Sequence, residues 1–355
     1  MDWYPLKLTY HVRTYAFGER LIVDMLGKQD APDGVVAETW EISDHRDARA
    51  TITNGALSGS SFHDVVVSHP EALVGSGWNG PHFPLLGKFL DASHPLPVHL
   101  HADDETAARI YDEPHGKSEA WHILWAAPGA SILAGVNPEL SHDQLFDAFK
   151  RRDYESVMYR YPIAPGDTVF VPGCILHAFG PDTLIFEIQQ TSDLGQTVMP
   201  NDLFGNEKST SQWDEDIRLT LAELKTNYFP KPSPGPTIER EDNRYTIGCA
   251  GPYFALERWN LRRTHHQPVH DDRCFTISNV GETVAIRFAG GEELLGRAQS
   301  CVIPAALGAF DVAPLSQSAD LIFCYVPDLQ RDIVQPLRDA QFDDAEIAAL
   351  GILPI

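Results

Sequence analysis

Short apolar runs separated by turn-forming residues dominate the chain. Clear examples are the runs at residues 65–67, 168–171, 184–188, 283–288 and 321–326, with Gly, Pro, Asp and Asn frequent between them. Runs of this length between turn signals are typical of strands in a β-sandwich or barrel. No Gly-rich phosphate loop follows a strand, which disfavours a nucleotide-binding α/β fold. The pattern therefore predicts a mainly β protein.

Three stretches have helical periodicity instead. The first opens with Ser141 and Gln144, which form the capping-box pattern, and it continues with apolar residues at helical spacing to residue 149. The second covers residues 214–228 and leads into a proline-rich segment. The third runs from about residue 330 to residue 350. We predict a helix in each.

The proline-rich segment at residues 230–236 is the best candidate for a domain boundary. It separates a histidine-rich part, residues 1–235, from a second β-rich part, residues 236–355. The turn, strand and proline at residues 166–172 recur weakly at residues 296–304. We therefore predict two related cupin-type β-barrels (jelly rolls), with a few helices inserted and at the C-terminus, and no metal ligands in the second barrel.

Composition narrows the class of protein. The chain has 355 residues, 43% of them hydrophobic, with 27 Lys and Arg against 50 Asp and Glu, a formal net charge of −23. This excess of negative charge argues against nucleic acid or an anionic membrane as partner. The N-terminus lacks the pattern of a secretory signal, and the five cysteines are scattered without a C-x-x-C pair. We expect a cytoplasmic protein, while its oligomeric state is not specified by the sequence.

His99 and His101 form an H-x-H pair in a β-type run. Residues two apart on a strand point to the same side, so both imidazoles face one cavity, where a metal ion would satisfy them. An H-x-H pair alone is more often a surface or hydrogen-bonded pair. However, Gly166, Pro172 and His177 follow at the spacing of the second cupin motif. The first cupin motif also contains a glutamate after its H-x-H, and Glu119 is the candidate here.

Longer segments carry a resemblance to type I mannose-6-phosphate isomerases. The segments are ETWEISDH (residues 38–45), FPLLGKFLD (83–91), VHLHADD (98–104), GKSEAW (116–121) and FEIQQTSD (186–193). The resemblance implies two cupin barrels and one catalytic zinc ion, held in the first barrel by Gln-x-His, Glu and His. His101, Glu119 and His177 occupy the last three positions, whereas His99 replaces the glutamine. Three histidines and a glutamate also suit Mn²⁺, Co²⁺ or Fe²⁺.

Two residues are candidates for proton transfer in the sugar isomerisation that the resemblance implies. Lys117 lies two residues before Glu119, so on a strand it would face the metal, where we expect a lowered pKa. The alternative is a solvated lysine in a charged loop. Glu187 interrupts an apolar strand, and the family places a pocket glutamate here.

Two further residues bear on substrate binding. Lys88 is a lone charge in an apolar run, either in the pocket or in a structural ion pair. Thr197 stands where the family has an arginine, and no Lys or Arg occurs between Arg160 and Lys208. Phosphate recognition relies on such cations or on free backbone N–H groups.

These observations predict a metal-dependent aldose–ketose isomerase acting on a small sugar, which need not be phosphorylated. One alternative is a mannose-6-phosphate isomerase proper. Others are a cupin oxygenase, which a three-histidine, one-glutamate site permits, and a non-catalytic carbohydrate-binding cupin, which the missing arginine suggests.

Overall fold

Four antiparallel β-sheets form the framework of the structure, a computed structural model that describes residues 2–353. The strands before residue 200 are β1 (Leu6–Lys7), β2 (His11–Arg13), β3 (Glu38–Ile42), β4 (Leu85–Ala92), β5 (His99–Leu100), β6 (Glu119–Ala126), β7 (Ser131–Val136), β8 (Met158–Pro162), β9 (Thr168–Val171), β10 (His177–Phe179), β11 (Thr183–Gln190) and β12 (Gln196–Thr197). The later strands are β13 (Thr237–Arg240), β14 (Asn243–Ala250), β15 (Ala255–Leu261), β16 (His265–Gln267), β17 (Phe275–Asn279), β18 (Val284–Phe288), β19 (Gly291–Leu295), β20 (Ser300–Ile303), β21 (Phe310–Pro314) and β22 (Ala319–Tyr325).

The sheets fall into two pairs along the chain. The first pair consists of a six-stranded sheet, in the order β2-β3-β4-β11-β6-β9, and a five-stranded sheet, in the order β12-β5-β10-β7-β8. The second pair has a seven-stranded sheet, β1-β20-β17-β22-β15-β14-β13, and a four-stranded sheet, β16-β21-β18-β19. The prediction of a mainly β protein is confirmed.

Each pair of sheets contributes side chains to a shared hydrophobic core. Trp121 and Ile185 of the six-stranded sheet cluster with Ile132 of the five-stranded sheet. Phe323 of the seven-stranded sheet likewise clusters with Ile286 of the four-stranded sheet. Apolar side chains on the facing sides of two sheets bury one another, which holds each pair together.

The division at residue 235 stays a prediction. Strand β1, near the N-terminus, pairs with β20, with Leu6 opposite Val302. The first residues of the chain thus extend the seven-stranded sheet of the second pair.

The α-helices are short and lie between strands or near the C-terminus. They are α1 (Leu21–Asp24), α2 (Phe62–Ser68), α3 (Pro70–Leu73), α4 (Asp104–Thr106), α5 (His142–Lys150), α6 (Thr210–Glu223), α7 (Gln335–Asp339) and α8 (Asp344–Ala348). Single 3₁₀ turns occur at Gly55–Leu57 and Ala305–Leu307, and π-helical turns at Ala107–Tyr111 and Leu329–Val334. Among residues 2–353, none of the helices combines the length and hydropathy that a membrane-spanning helix needs.

The predicted helices are present with altered bounds. Helix α5 has the expected capping box between Ser141 and Gln144. Helix α6 begins earlier than predicted because Ser209 caps it, and it ends at Glu223. The stretch at residues 330–350 is divided into a π-helical turn and the separate helices α7 and α8.

The strand predicted at residues 65–67 is wrong, because these valines lie in helix α2. Ser61 accepts a hydrogen bond from the Asp64 backbone and so caps the helix. Val65 and Val66 are buried while Val67 is exposed. Capping and one-sided burial outweigh the β preference of three valines.

Candidate metal centre

Three strands of the first pair of sheets bring the four predicted metal ligands together. His99 on β5 lies directly opposite His177 on β10 in the antiparallel register. His101 follows His99 by two residues and projects to the same side, while Glu119 begins β6 in the facing six-stranded sheet. The H-x-H pair and the distant Glu119 and His177 thus meet because two sheets face each other.

The distances between the donor atoms suit one divalent ion. The donor atoms of His99, His101, Glu119 and His177 all lie within 4.8 Å of one another. His177 Nε2 lies 3.1 Å from both His99 Nε2 and Glu119 Oε1, and His101 Nε2 lies 3.4 Å from Glu119 Oε2. Ligands of a tetrahedral zinc ion at about 2.1 Å are separated by roughly 3.4 Å. The short contacts therefore match the edges of such a tetrahedron.

Each ligand histidine is oriented by a backbone carbonyl. In every case the ring Nδ1 donates its hydrogen to that carbonyl, which leaves the Nε2 lone pair directed at the cluster. The pairs are His99 with Pro97 (2.7 Å), His101 with Leu194 (2.8 Å) and His177 with Ile175 (2.7 Å).

Gly195 allows the Leu194 carbonyl to approach His101. A Cβ atom at position 195 would lie 2.9 Å from His101 Nδ1, closer than real Cβ contacts allow. A side chain here would displace either the imidazole or the loop.

The protonation states favour metal binding. Burial, followed by the charge of Lys117, lowers the pKa of His101 to about 4. Burial and the neighbouring histidines hold the pKa of His99 well below its usual range. Burial alone would raise the pKa of Glu119, but Lys117 and His101 outweigh it and hold this pKa well below normal. His99 and His101 are thus neutral imidazoles and Glu119 is a carboxylate, the forms that ligate metals.

Glu119 also has a spare ligand atom. Its Oε1 accepts a hydrogen bond from Trp121 Nε1 at 3.1 Å, whereas its buried Oε2 has no well-formed hydrogen bond, although Lys117 Nζ lies 3.1 Å away. A buried carboxylate oxygen without a hydrogen bond is costly unless a cation binds it. The residues present therefore fit a divalent metal.

A cavity of about 150 Å³ opens beside the cluster. Its lining includes all four of the other predicted site residues, Lys88, Lys117, Glu187 and Thr197. The structure thus brings every predicted site residue to one place, while their roles remain predictions.

Lys117 is buried, so the alternative of a solvated lysine is wrong. Only 4% of it is exposed, and its Nζ lies 3.1 Å from His101 Nε2 and 3.7 Å from Glu187 Oε1. The expected lowered pKa is also not found. Burial lowers the pKa of Lys117, but Glu119 and Glu187 outweigh burial and raise it.

Glu187 and Lys88 form a buried pair across strands β11 and β4. The two residues are register partners, and Lys88 Nζ lies 3.2 Å from Glu187 Oε1 and 3.3 Å from Glu38 Oε1. Lys88 therefore lines the cavity and also forms a buried ion pair, so both of the predicted alternatives apply. Burial, together with the charge of Glu119, raises the pKa of Glu187 to about 8.

Thr197 lies on β12 directly opposite His99. Its hydroxyl donates a hydrogen bond to the Val98 carbonyl at 3.1 Å. Arg160, the next cation upstream, is exposed, forms an ion pair with Glu155 and does not line this cavity. The cations that converge on the cavity are therefore Lys88 and Lys117.

Two acidic residues of the cavity were not predicted. Glu38 on β3 is buried and accepts a hydrogen bond from Trp40 Nε1, and exposed Asp193 lies at the cavity mouth. Glu38 opens a segment that resembles the family, which is the signal that could have identified it. Asp193 ends another such segment.

Comparisons with known proteins identify the family. The model of the phosphomannose isomerase type I catalytic domain matches residues 6–121. A Bacillus subtilis protein named "Probable mannose-6-phosphate isomerase GmuF" is 35% identical over 266 residues, which is 73% of this chain and 80% of that protein. The chain belongs to the type I phosphomannose isomerase family.

Solved structures of mannose-6-phosphate isomerases share the fold of this family member. The enzyme from Bacillus subtilis aligns with a TM-score of 0.80 at 23% identity, covering 91% of this chain and 99% of that one. A mannose 6-phosphate isomerase bound with zinc and yttrium aligns with a TM-score of 0.68 at 16% identity, with the same coverage.

The family assignment establishes the class of reaction. As a type I phosphomannose isomerase, the chain is an aldose–ketose isomerase with a divalent-metal site, and its substrate is a small sugar. This outcome disfavours the cupin oxygenase and the non-catalytic cupin as interpretations.

Proposed function

We propose that the chain interconverts an aldose and its ketose at a zinc ion held by His99, His101, Glu119 and His177. The observation that carries this proposal is the position of two proton-carrying side chains, Lys117 and Glu187, in the cavity that three of the four ligands, His99, His101 and Glu119, line. Zinc is supported by three separations of 3.1, 3.1 and 3.4 Å between ligand atoms and by the similar protein whose structure was solved with zinc bound. Imidazole in place of the family's glutamine at His99 keeps a good zinc ligand.

The reaction moves one proton between neighbouring carbons of an open-chain sugar through an enediol. A bound divalent ion supplies Lewis-acid polarisation of the carbonyl oxygen. Glu187 Oε1 is buried and lies 3.2 Å from Lys88 Nζ, and in its carboxylate form it takes the proton from C2 of the aldose and returns it to C1. Lys117 Nζ, 3.7 Å from that oxygen, gives a proton to O1 as the enediol forms and takes one from O2 as the ketose forms, so the hydroxyl protons also balance.

The substrate we propose is a sugar without a phosphate group. The cavity lining contains the cations Lys88 and Lys117 against four carboxylates, those of Glu38, Glu119, Glu187 and Asp193. Both lysines already contact buried carboxylates. A phosphate entering such a cavity loses hydration without gaining a free cation in return.

A second candidate is mannose 6-phosphate itself. It is favoured by the relatives, which are named as mannose-6-phosphate isomerases and are up to 35% identical to this chain over the aligned residues.

Deuterium incorporation distinguishes the two candidates. The zinc-loaded enzyme is incubated in D₂O with a panel of free and phosphorylated aldoses and ketoses, and label at C1 or C2 identifies the substrate. We expect a free sugar to give the higher kcat/KM. A kcat/KM for mannose 6-phosphate of about 10⁴ M⁻¹s⁻¹ or more, in the ordinary enzymic range, would establish the second candidate instead.

The variant Thr197→Arg tests the reason for this preference. It restores the arginine of the family, so we expect kcat/KM for the phosphorylated sugar to rise by about tenfold or more relative to the free sugar, as one charged hydrogen bond would give. Thr197→Val is the matched control, since it removes the hydroxyl without adding charge. An equal response to both substitutions would contradict the charge argument.

A further inference from the structure

The second pair of sheets encloses a cavity larger than the one beside the metal ligands. Its volume is about 900 Å³, within the range of about 300–1,000 Å³ that is typical of ligand sites. It lies between the seven-stranded sheet, on strands β13, β14, β15, β17 and β22, and strand β16 of the facing sheet. We call it the C-terminal cavity, and none of the predicted site residues lies in it.

Aromatic rings form one wall of the C-terminal cavity. Trp259 and Phe323 are stacked, with ring centroids 4.0 Å apart and an interplanar angle of 16°. Tyr245 packs against Trp259, and Phe275 packs against Phe323. Trp259 and Phe323 are only 3% and 2% exposed, so the rings form a rigid, closely packed apolar floor against which the C–H groups of a sugar ring can pack.

The polar groups that face this cavity accept hydrogen bonds. Glu257 is fixed by two donors, Trp259 Nε1 and Tyr325 Oη, each 2.7 Å from one of its oxygens, and each oxygen keeps a further lone pair. His270 is only 7% exposed, and its Nδ1 bonds the Pro268 carbonyl at 3.0 Å and must carry the hydrogen. Its Nε2 is therefore a bare acceptor.

The acceptor on His270 has no partner within the described residues. Its Nε2 is buried without a hydrogen bond. Such an atom destabilises the protein until a donor reaches it. A ligand that satisfies both His270 and Glu257 must supply donors, as the hydroxyl groups of a sugar do.

The charges of the lining exclude an anionic ligand. Three arginines and five carboxylates line the cavity. Arg273 and Arg331 each form ion pairs with Asp272 and Asp332, so neither is free to bind an anion. The third arginine, Arg240, is outnumbered by the carboxylates of the lining.

We propose that the C-terminal cavity binds a short neutral oligosaccharide, separate from the substrate at the metal site. The aromatic wall contacts the faces of the sugar rings, and the hydroxyl groups donate hydrogen bonds to Glu257 and His270. The volume accommodates more than one ring, which the cavity of about 150 Å³ at the metal site does not.

Isothermal titration calorimetry of the full zinc-loaded enzyme tests this proposal with a panel of neutral di- and trisaccharides and their phosphorylated forms. We expect a neutral member to bind, and His270→Phe to weaken its binding by about tenfold, since the ring packing is kept while the acceptor is lost. Glu257→Gln should weaken binding similarly. Glu292→Gln, which alters an exposed ion pair outside the cavity, is the matched control.

His177→Ala separates the two sites, because it disrupts the metal centre and should leave oligosaccharide binding intact. Isomerase activity should be unchanged in His270→Phe and Glu257→Gln, and crystals soaked with the bound sugar should show it against Trp259. Failure of every neutral sugar to bind, tighter binding of the phosphorylated forms, or loss of binding in His177→Ala would overturn the proposal. None of these outcomes depends on whether the metal site acts on a phosphorylated substrate.

Discussion

His101 and His177 are the residues on which the metal site most depends. Both are buried, and both place Nε2 against the Glu119 carboxylate. Replacing either with alanine leaves three ligands and an open space where the imidazole was. Zinc has four protein ligands in closed sites and at least three in catalytic sites. The loss of one imidazole destroys the geometry of the site.

We therefore expect His101→Ala and His177→Ala each to lose most of the metal and all measurable activity. Metal per chain is measured by plasma mass spectrometry after dialysis, and circular dichroism checks that the fold is retained. Undiminished metal content in both variants would show that the ion is bound elsewhere.

His99→Gln should behave differently. It restores the ligand that the family carries at this position, and a glutamine oxygen can replace the imidazole nitrogen. We expect this variant to retain metal and measurable activity, with affinity reduced by about tenfold to a hundredfold at most. A competition titration against a chelator gives the affinity. Complete loss of metal would mean that metal binding requires the imidazole of His99.

The four residues of the proposed metal site could be predicted from the sequence, but their neighbours only in part. The H-x-H spacing has a physical meaning on a strand, whereas Glu119, 18 positions after His101, was identified through the first cupin motif. The pKa of Lys117 could not be predicted, because it depends on the close approach of Glu119 and then on Glu187, which reaches it from another strand. Pairing between distant strands is not visible in local patterns.

At the scale of elements, strand β6 links the two pairs of sheets. His122 on β6 bonds Thr168 of β9 through Nδ1 at 2.9 Å, and its Nε2 lies 3.2 Å from an Arg258 nitrogen on β15. Arg258 is held by both oxygens of Asp320 on β22. A neutral imidazole is required in this contact, because a protonated one would face the arginine.

This contact predicts a pH-dependent loss of stability. Burial, with the charge of Arg258, lowers the pKa of His122 to about 3, below its ordinary value of about 6.5. The unfolded chain therefore takes up a proton first as the pH falls, and stability is lost between pH 6.5 and 3. Between pH 7 and 5 the loss from this group amounts to about 2 kcal/mol.

Urea unfolding at pH 7 and pH 5 measures this loss. We expect His122→Asn to lower stability at both values but to reduce the difference between them by about that amount. His142→Asn, at an exposed histidine, is the control and should leave the difference unchanged. An unchanged difference in His122→Asn would assign the acid sensitivity to other groups.

Helices and strands were predicted well where the hydrophobic pattern and the capping residues indicated the same element, and poorly where they did not. Helix α5 follows from its capping box, and strand β11 from its apolar run with Glu187 on the opposite side. The three valines of helix α2 have the composition of a strand, and the Ser61 cap together with one-sided burial makes them helical.

At the scale of the whole molecule, the two pairs of sheets differ in the groups that face their interiors. In the first pair, histidines and a glutamate converge on one point. In the second pair, Trp259, Tyr245 and Glu257 face the cavity instead. Aromatic residues in strands look like ordinary core residues in a sequence, which is why the C-terminal cavity was not predicted.

We expect one tightly bound divalent metal ion per chain. The cluster of His99, His101, Glu119 and His177 is the only group of potential ligands with suitable spacing within residues 2–353. His265 and His266 instead bond Tyr245 and Asp311. Anomalous scattering at the zinc edge should show a single peak near His177, and a strong peak near His265 would contradict this assignment.

The carbonyls that hold the three ligand rings have a consequence for how the enzyme acquires its metal. Pro97, Leu194 and Ile175 belong to the fold itself, so the lone pairs are aligned before any ion arrives. The metal ion then binds to a protein that is already folded, and binding costs little conformational entropy. Chelation should accordingly yield a folded, inactive enzyme that regains activity as fast as zinc can diffuse in.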